Sequence, residues 1–536
     1  MTLAMDFGTC NTVLARWNVA LGAVEVLRLP RLGRTYAYRG PKAAGTQEAS
    51  VVPSLIHYGE GDRVLLGAQV TDAGVVDRPG TFRWLKLDML NGLQQSCRVG
   101  AKIVFTRQAA EDFVRSVLAF AVGQGEDRDM VVTAPVEAYD AYMDWLTETV
   151  ARVFRGQVRM LDEATACILG YQDMVREDEV HMVFDFGGGT LDVSVVKVAL
   201  GAADGRKCRI LGRAGEELGG NLVDRWMLER LRAKGAASDE DLRDLGPRLL
   251  VLAEDAKIAI SNGAAEADVL QFNDRTGRQL SHVFTRAELA ALLEGKEVFR
   301  LVARTIDRAL DQAQERYGIR KRDVRGVFMV GGTSLLLGVQ DAVRALFPDA
   351  PVRCDRPFDA IVAGACRYAG EDLNPTLVHE YGMRSWNPKR MEYEWVTLIP
   401  RGTAYPTNGT LVARYVSAAA RESDALGLVI VERSAMSLPR SEWELAPDGR
   451  LRQVSRGAQE RTNERELNPQ GRRFIRADPP SSADEARRFV VGFGVDRQKR
   501  MVVSVKDTRP GNRSCVETAG GEKLPLPVRD YPLVKL

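Results

Sequence analysis

A glycine turn between two strands constrains this chain more than any other feature of its sequence. The stretch His181–Val196 reads His-Met-Val-Phe-Asp-Phe-Gly-Gly-Gly-Thr-Leu-Asp-Val-Ser-Val-Val. Apolar residues lead into Asp185, three glycines remove every Cβ from the bend, and apolar and polar residues then alternate as in a strand. Backbone N–H groups at such a bend can approach an anion, and the lack of a lysine and a following helix distinguishes it from a P-loop. Taken alone, the pattern fits a plain β-hairpin equally well.

A second copy of the pattern lies near the N-terminus. Leu3–Asn11 reads Leu-Ala-Met-Asp-Phe-Gly-Thr-Cys-Asn, and the apolar run Thr12–Trp17 follows it. A third glycine turn, Gly331–Ser334, ends the apolar segment Val324–Val330 and precedes a predicted helix, whose free N–H groups suit anions. The two hairpins predict a duplicated scaffold that grips one polyphosphate from two sides.

Composition is that of an ordinary globular protein. The 536 residues are 45% hydrophobic and 27% charged, which allows about two to four domains. A formal charge of +2 does not indicate a broadly basic surface for binding nucleic acid or membranes. The seven cysteines form no Cys-x-x-Cys pair, and no secretory leader or membrane-length apolar run occurs. We therefore expect no disulfide framework, no metal cluster and a cytoplasmic location.

Strands alternate with helices before about residue 370, which predicts an α/β sheet with functional groups at strand ends. Asp162 and Glu163 follow one such strand, where adjacent carboxylates either do chemistry or cap the next helix. Glu254, Lys257 and Ser261 share a polar stripe of a predicted helix, a pattern that by itself usually marks a solvent-exposed ion pair.

Two stretches depart from the α/β pattern. Arg31–Gly45 is rich in Gly and Arg and is predicted to be an exposed loop. From about Asn374, helical periodicity stops and short alternating segments such as Phe489–Val495 appear. We predict a domain boundary near Glu371–Thr376, followed by an all-β unit.

Taken together, these segments resemble the heat shock protein 70 (Hsp70) chaperone family, with their motifs in the family's order. The resemblance covers most of the chain and is firmest before residue 370. The matching segments are Met5–Asn11 and Asp185–Thr190 for the two phosphate loops, Asp162–Ala166 for the connecting motif, Val330–Ser334 for the adenosine loop, Lys86 for the catalytic lysine, and Glu254, Lys257 and Ser261 for the nucleoside-contacting helix.

The resemblance implies an actin-like ATPase domain, a duplicated ribonuclease H-like α/β fold, followed by a β-sandwich that holds extended peptides. These domains are expected at residues 1–371 and 381–536, with a linker over 372–380 and no helical lid. A lidless sandwich would exchange clients faster or recognise bulkier folded or aggregated surfaces.

The implied cofactors are ATP or ADP with Mg²⁺. Asp6 and Asp185 would bind Mg²⁺ through water, Lys86 would stabilise charge on the γ-phosphate, and Glu163 would orient the attacking water, with Thr190 as a close polar partner. Other nucleotide contacts come from glycines and cleft side chains. They are Gly8, Thr9, Cys10, Gly187, Gly188, Gly189, Gly219, Gly220, Glu254, Lys257, Ser261, Gly331, Gly332, Ser334 and Asp359.

Several positions depart from the family pattern. Cys10 replaces a usual hydroxyl residue, and Ala164 replaces a proline. Pro135 matches the proline of the family's interdomain coupling, but Met143 stands where an arginine is expected. Arg159 matches a position used for a J-domain cochaperone.

The implied partners are polypeptide clients, a J-domain cochaperone and a nucleotide exchange factor, with no nucleic acid and no membrane. The linker offers only Leu377 and Val378 in place of the family's aliphatic run, which leaves the strength of interdomain coupling open.

Three other functions stay open on the same scaffold. An actin-like filament former shares the phosphate loops, a sugar-kinase-like phosphotransferase would need a carboxylate base beside a small-molecule hydroxyl, and a nucleotide-gated adaptor would bind ATP without turnover. The β-domain argues against the first. The last is disfavoured by the complete set Asp6, Lys86, Glu163, Asp185 and Thr190.

Overall fold

The first part of the molecule is organised on a sheet whose central strand contains Asp6 near its end. The computed structural model of the chain describes residues 2–18, 21–39, 45–100, 102–122, 129–136, 138, 140–199, 208–370, 377, 379–387, 391–407, 409–416, 423–434, 441–445, 451–455, 463–469, 473–482, 484–485 and 487–535. The elements of this part are β1 Thr2–Phe7, β2 Asn11–Asn18, β3 Ala23–Val26, β4 Arg34–Arg39, β5 Thr46–Pro53, β6 Ile56–Tyr58, β7 Val64–Leu66, α1 Ala68–Asp72, β8 Thr81–Phe82, α2 Leu85–Asn91, β9 Ser96–Val99, β10 Lys102–Phe105, α3 Thr106–Val122, β11 Asp129–Ala134, α4 Asp140–Ala151 and β12 Gln157–Asp162.

A second sheet carries the next part of the chain, with its central strand ending beside Asp185. Its elements are α5 Glu163–Gly170, β13 Val180–Phe186, β14 Leu191–Val198, β15 Cys208–Glu216, α6 Gly220–Ala233, α7 Asp239–Ser261, β16 Glu266–Asn273, β17 Arg278–Thr285, α8 Arg286–Gly295, α9 Val298–Tyr317, β18 Val324–Val330, α10 Val339–Leu346, β19 Val352–Arg353 and α11 Ala360–Gly370.

The two sheets repeat one local arrangement. The first has the order β12-β11-β1-β2-β5-β4, and the second has the order β15-β14-β13-β18-β19. In each, the central strand pairs antiparallel with the strand after its glycine turn and parallel with a strand on its other side. Strands β1 and β13 are almost wholly buried, as expected for apolar strands covered on both faces. The predicted strand–turn–strand pairs and the α/β character of this part are confirmed.

The C-terminal part contains strands and no α-helix within its described residues. It forms sheets with the orders β21-β20-β24-β27, β22-β29-β30-β33 and β23-β28-β31-β32, and the pair β25-β26. A hydrophobic cluster that includes Phe474, Phe489 and Phe493 fills this part. The predicted boundary at Glu371–Thr376 lies outside the described residues, as does Val378. The strands are β20 Glu380–Asn387, β21 Glu392–Ile399, β22 Val412–Val416, β23 Ser423–Leu426, β24 Ile430–Ser434, β25 Ser441–Leu445, β26 Leu451–Ser455, β27 Asn463–Glu466, β28 Ile475–Ser481, β29 Phe489–Val495, β30 Met501–Asp507, β31 Cys515–Glu517, β32 Lys523–Pro525 and β33 Val528–Pro532.

The stretch Arg31–Gly45 is not simply an exposed loop. Residues 34–39 form β4, which pairs antiparallel with β5 and forms an edge of the first sheet. Tyr38 on this strand is buried. The sequence suggested a loop because Gly and Arg dominate the stretch, whereas the two tyrosines supply the alternating pattern of a short strand. Residues 40–44 lie outside the description.

The C-terminal strands pack against α4 and β12. The Asp140 carboxylate accepts hydrogen bonds from the Tyr381 hydroxyl at 2.7 Å and from the Met501 N–H at 2.8 Å. Glu432 accepts a hydrogen bond from the Asp140 N–H at 3.2 Å. Met143, where the resemblance leads one to expect a coupling arginine, is instead buried in the core of the first part. Asp140, and not residue 143, therefore supplies hydrogen bonds between the two parts.

Every helix in the described ranges is too short or too polar to cross a membrane.

Candidate functional site

The phosphate-sized turns of the two sheets lie against each other. A Cβ built on Gly188 would come within 2.2 Å of the Cys10 Sγ, and one on Gly189 would lie 3.4 Å from the Thr9 methyl group. The Cys10 Sγ also lies 3.3 Å from the Asn221 Oδ1 and donates to it. A side chain at residue 188 would therefore force the Cys10 thiol to move, so glycine permits this close approach of the two turns.

The turn after β18 closes on the same place. Gly331 has a φ of +80°, and a Cβ there would meet the Phe186 carbonyl oxygen at 2.4 Å. The Thr333 hydroxyl donates to the Gly187 carbonyl at 2.8 Å. Gly219 packs directly against the backbone of Gly188, where a side chain on Gly219 would clash. The glycine turns predicted from sequence thus converge on one cleft.

A buried ion pair lies at the floor of this cleft. The Lys86 Nζ is 2.6 Å from the Glu163 Oε1, and Lys86 is 6% exposed. Burial alone would lower the pKa of Lys86, but the Glu163 carboxylate raises it above its ordinary value, so the ammonium form persists. Burial raises the pKa of Glu163 to about 7, against the lowering effect of Lys86. Of the two adjacent carboxylates, Asp162 caps α5 by accepting a hydrogen bond from the Thr165 N–H at 2.8 Å, and Glu163 lines the cleft.

Three aspartates surround that pair. Asp6 accepts a hydrogen bond from the Thr133 hydroxyl at 2.7 Å, and Asp192 accepts one from the Thr190 hydroxyl at 2.7 Å. Burial, followed by the negative charges of Glu163, Asp192 and Asp6, raises the pKa of Asp185 well above its ordinary value. Acidic groups therefore exceed basic groups at this point of the cleft.

This excess of negative charge fits a divalent cation. Among the described residues, no three Asp, Glu, His or Cys side chains are grouped to hold a metal ion by themselves. Mg²⁺ is commonly bound by one or two carboxylates, with water and phosphate oxygens completing the octahedron. Asp6 and Asp185 fit that description because both line the cleft beside the turns.

The predicted polar stripe on α7 is not a solvent-exposed ion pair. Lys257 is 8% exposed, and its Nζ lies 2.7 Å from the Asp224 Oδ1 and donates to the Gly220 carbonyl at 3.0 Å. Glu254 lies 3.9 Å from Arg83. Lys257 therefore fastens the start of α6, and its ammonium lies beside the turns, where it can attract phosphate oxygens.

Comparison with known proteins agrees with this geometry. The family model described as Hsp70 protein matches residues 155–412. A chaperone protein HscA homolog of Burkholderia mallei is 27% identical over 546 residues, which cover 96% of this chain and 78% of that protein. The chaperone protein dnaK3 of Synechococcus elongatus is 32% identical over 290 residues, which cover 52% of this chain and 37% of that protein.

The chain is thus similar to Hsp70 proteins over the segments that line the cleft. The family match spans the Glu163, Asp185, Lys257 and Gly331 segments, and the HscA homolog aligns with nearly the whole chain.

Most of the predicted site residues line one continuous cleft. Some of these residues surround the expected position of the phosphates, and the others surround the expected position of the nucleoside. The lining residues from the prediction are Asp6, Gly8, Thr9, Cys10, Lys86, Glu163, Asp185, Gly187, Gly188, Thr190, Gly220, Glu254, Lys257, Ser261, Gly331 and Gly332.

Two of the predicted side chains point away from the cleft. Ser334 is completely buried, and its hydroxyl donates to the Val330 carbonyl at 2.6 Å, so it fastens the turn; the neighbouring Thr333 lines the cleft. Asp359 forms an ion pair with Arg356 at 2.8 Å and does not line the cleft, whereas Phe358 does. The glycine-turn motif located the loop correctly, but sequence could not say which neighbour faces inward.

Sequence reasoning missed the aromatic wall of this cleft. Tyr36, Tyr38 and Phe358 line its nucleoside end together with Ile258 and Leu335. Aromatic residues at every second position of a short strand were the available signal, and the Gly and Arg around them hid it. Asn221, Asp224 and Asp192 were also missed; each follows a predicted glycine turn within a few residues.

Proposed function

We propose that the cleft between the glycine turns hydrolyses ATP and that this reaction controls the binding and release of polypeptides. The similarity to Hsp70 chaperones supports an ATP-dependent chaperone of the Hsp70 type that uses ATP or ADP with Mg²⁺. The observation that carries the residue assignment is the buried Lys86–Glu163 pair, which lies between the turns that follow Asp6 and Asp185.

Positioning and charge stabilisation account for the chemistry. Phosphoryl transfer spreads negative charge over the γ-phosphate oxygens, and a preorganised cation in a water-poor site stabilises that charge. Lys86 supplies the cation. Glu163, held by Lys86 on one oxygen, presents a carboxylate whose pKa of about 7 suits a group that orients water and receives a proton.

The acidic residues would hold the metal through water. Mg²⁺, when bound, neutralises charge on the β- and γ-phosphates. Asp6 is oriented for this by its hydrogen bond from Thr133, and Asp185 faces it from the other sheet. Thr190 is oriented by Asp192 toward the same side of the cleft.

The duplicated sheet arrangement supports an actin-like ATPase domain over residues 1–371. The strand-rich region supports a β-sandwich for peptides over residues 381–536, joined by a linker at 372–380. A J-domain cochaperone and a nucleotide exchange factor complete the proposal. Arg159, proposed for the cochaperone, is partly exposed and donates to the Ala369 carbonyl at 2.7 Å.

A single-turnover assay tests the catalytic proposal. The purified chain with Mg²⁺ and radiolabelled ATP should release phosphate, and Glu163→Gln should slow that release by about 100-fold or more. The matched control is Glu229→Gln, which changes a residue on the exposed face of α6 paired with Lys296. Equal rates for the wild type and Glu163→Gln would remove Glu163 from the reaction. Release of a bound unfolded polypeptide tests the proposed control of polypeptide binding. Its release rate should differ between the ATP-bound and the ADP-bound chain.

A further inference from the structure

Strand β4 reaches from the first sheet over the nucleoside end of the cleft. The Tyr36 ring is stacked on the Phe358 ring, with centroids 5.7 Å apart and planes inclined by 3°. The Tyr38 ring meets the same Phe358 ring edge-on, with centroids 5.5 Å apart. All three rings line the cleft beside Ile258 and Leu335.

The Phe358 ring is held by the second sheet. Its neighbour Pro357 accepts a hydrogen bond at 2.8 Å from the N–H of Gly331, the residue that follows β18. The aromatic contact therefore joins the edge of the first sheet to the turn at the end of a strand of the second.

Polar contacts also hold β4 against the second sheet beside the aromatic rings. The Tyr38 hydroxyl donates to the Asp355 carbonyl at 3.2 Å, and the Asn262 side chain donates to the Ala37 carbonyl at 3.3 Å. Asn262 follows α7, which carries Lys257 and Ser261. The Arg34 guanidinium lies 4.2 Å from the Tyr36 ring centroid and covers its outer side.

We propose that β4 is a strap that retains the bound nucleotide. Tyr36 and Tyr38 with Phe358 form an aromatic and apolar wall against which a flat purine base packs, and the nucleotide leaves only when this contact opens. The inference rests on the nucleotide site proposed above and adds the element that sets the residence time of ADP or ATP.

The test is the dissociation rate of a fluorescent ADP analogue, measured by stopped-flow displacement with excess ATP. Tyr36→Ala and Phe358→Leu should each speed dissociation by about tenfold, which corresponds to about 1.4 kcal/mol. Tyr317→Ala is the matched control, because Tyr317 ends α9, packs against Arg209 and does not line the cleft. Its dissociation rate should equal that of the wild type.

A gentler variant guards against misfolding. Asn262→Ala leaves the aromatic rings in place, removes the hydrogen bond to Ala37 and should speed dissociation by about two- to threefold. Rates within experimental error of the wild type for both Tyr36→Ala and Asn262→Ala would overturn the strap. A wild-type chain that binds no Mg²⁺–ADP would refute the nucleotide site itself, which is a different result from a bound nucleotide whose release ignores β4.

Discussion

Two acidic clusters buried among the described residues balance their charges in different ways. One lines the cleft, and the other joins α4 to the C-terminal strands. The cleft cluster consists of Asp6, Lys86, Glu163, Asp185 and Asp192. The interface cluster consists of Asp140, His379, Tyr381 and Glu432.

In the interface cluster, the carboxylates find their partners within the protein. Asp140 accepts from Tyr381 and Met501, and Glu432 lies 2.7 Å from the His379 Nδ1. Burial lowers the pKa of His379 well below its ordinary value, so the imidazole is neutral at pH 7. In the cleft cluster, four carboxylates face one ammonium beside an open cavity. Hydrogen bonds within the protein therefore stabilise the interface cluster. The cleft cluster instead has excess negative charge beside an open cavity, which suits the binding of a cation and phosphates.

Lys86→Ala should break the cleft cluster most severely. We expect hydrolysis to fall by at least about 100-fold while nucleotide affinity changes only a few-fold, because Lys86 acts mainly on transition-state charge. Single-turnover hydrolysis and equilibrium binding measure the two effects. Lys234→Ala, an exposed lysine after α6, is the control. Unchanged turnover would remove Lys86 from this role.

Asp140→Ala should break the interface cluster without touching the cleft. It leaves the Tyr381 hydroxyl and the Met501 N–H without their carboxylate, so we expect a loss of about 2–4 kcal/mol in the free energy of unfolding. Urea unfolding followed by circular dichroism measures it. Asp173→Ala, which removes an exposed ion pair with Arg367, should cost less than about 1 kcal/mol. Equal losses for the two variants would contradict the comparison.

Glu432→Gln should change how the free energy of unfolding depends on pH. Burial raises the pKa of Glu432 to about 7 from an ordinary 4.5, so the folded protein holds a proton that the unfolded chain has lost between these values. The wild type therefore loses stability as pH rises through about 5 to 7, and the Gln variant lacks this loss. Relative to the wild type, Glu432→Gln should gain about 1–3 kcal/mol between about pH 5 and pH 8. A pH-independent difference in urea unfolding would refute the burial of an ionisable Glu432.

Glu163 should show the corresponding effect on activity. Its pKa of about 7 means that the carboxylate needed to orient water is lost as pH falls below that value. The kcat/KM for ATP should fall by about tenfold per pH unit below pH 7 and level off above it. Lys234→Ala should keep the wild-type profile. A flat profile between about pH 6 and 8 would show that Glu163 is not the group that titrates.

The sequence predicted the cleft far better than the interface. Asp6 and Glu163 lie in compact motifs in which glycine turns and strand ends specify geometry locally, whereas the resemblance alone identified Lys86. Tyr381 and Asp140 are 241 residues apart and have no local pattern, so only the packing of the chain brings them together. Tertiary contacts also decided which side chains of the β18 turn face inward and whether β4 forms.

The order of strands in the first sheet has one more consequence. Its two edges are β12 and β4, separated by five strand spacings, or roughly 24 Å. The β12 edge meets the C-terminal part, where the Met160 N–H donates to the Arg497 carbonyl at 3.4 Å and the Gln498 side chain donates to the Val158 carbonyl at 3.0 Å. The opposite edge is the strand that covers the nucleoside end of the cleft. One hydrogen-bonded sheet thus connects the contact with the C-terminal part to the nucleoside end of the cleft. Hydrogen exchange of the Met160 amide would report on the sheet edge that lies farthest from the nucleoside end.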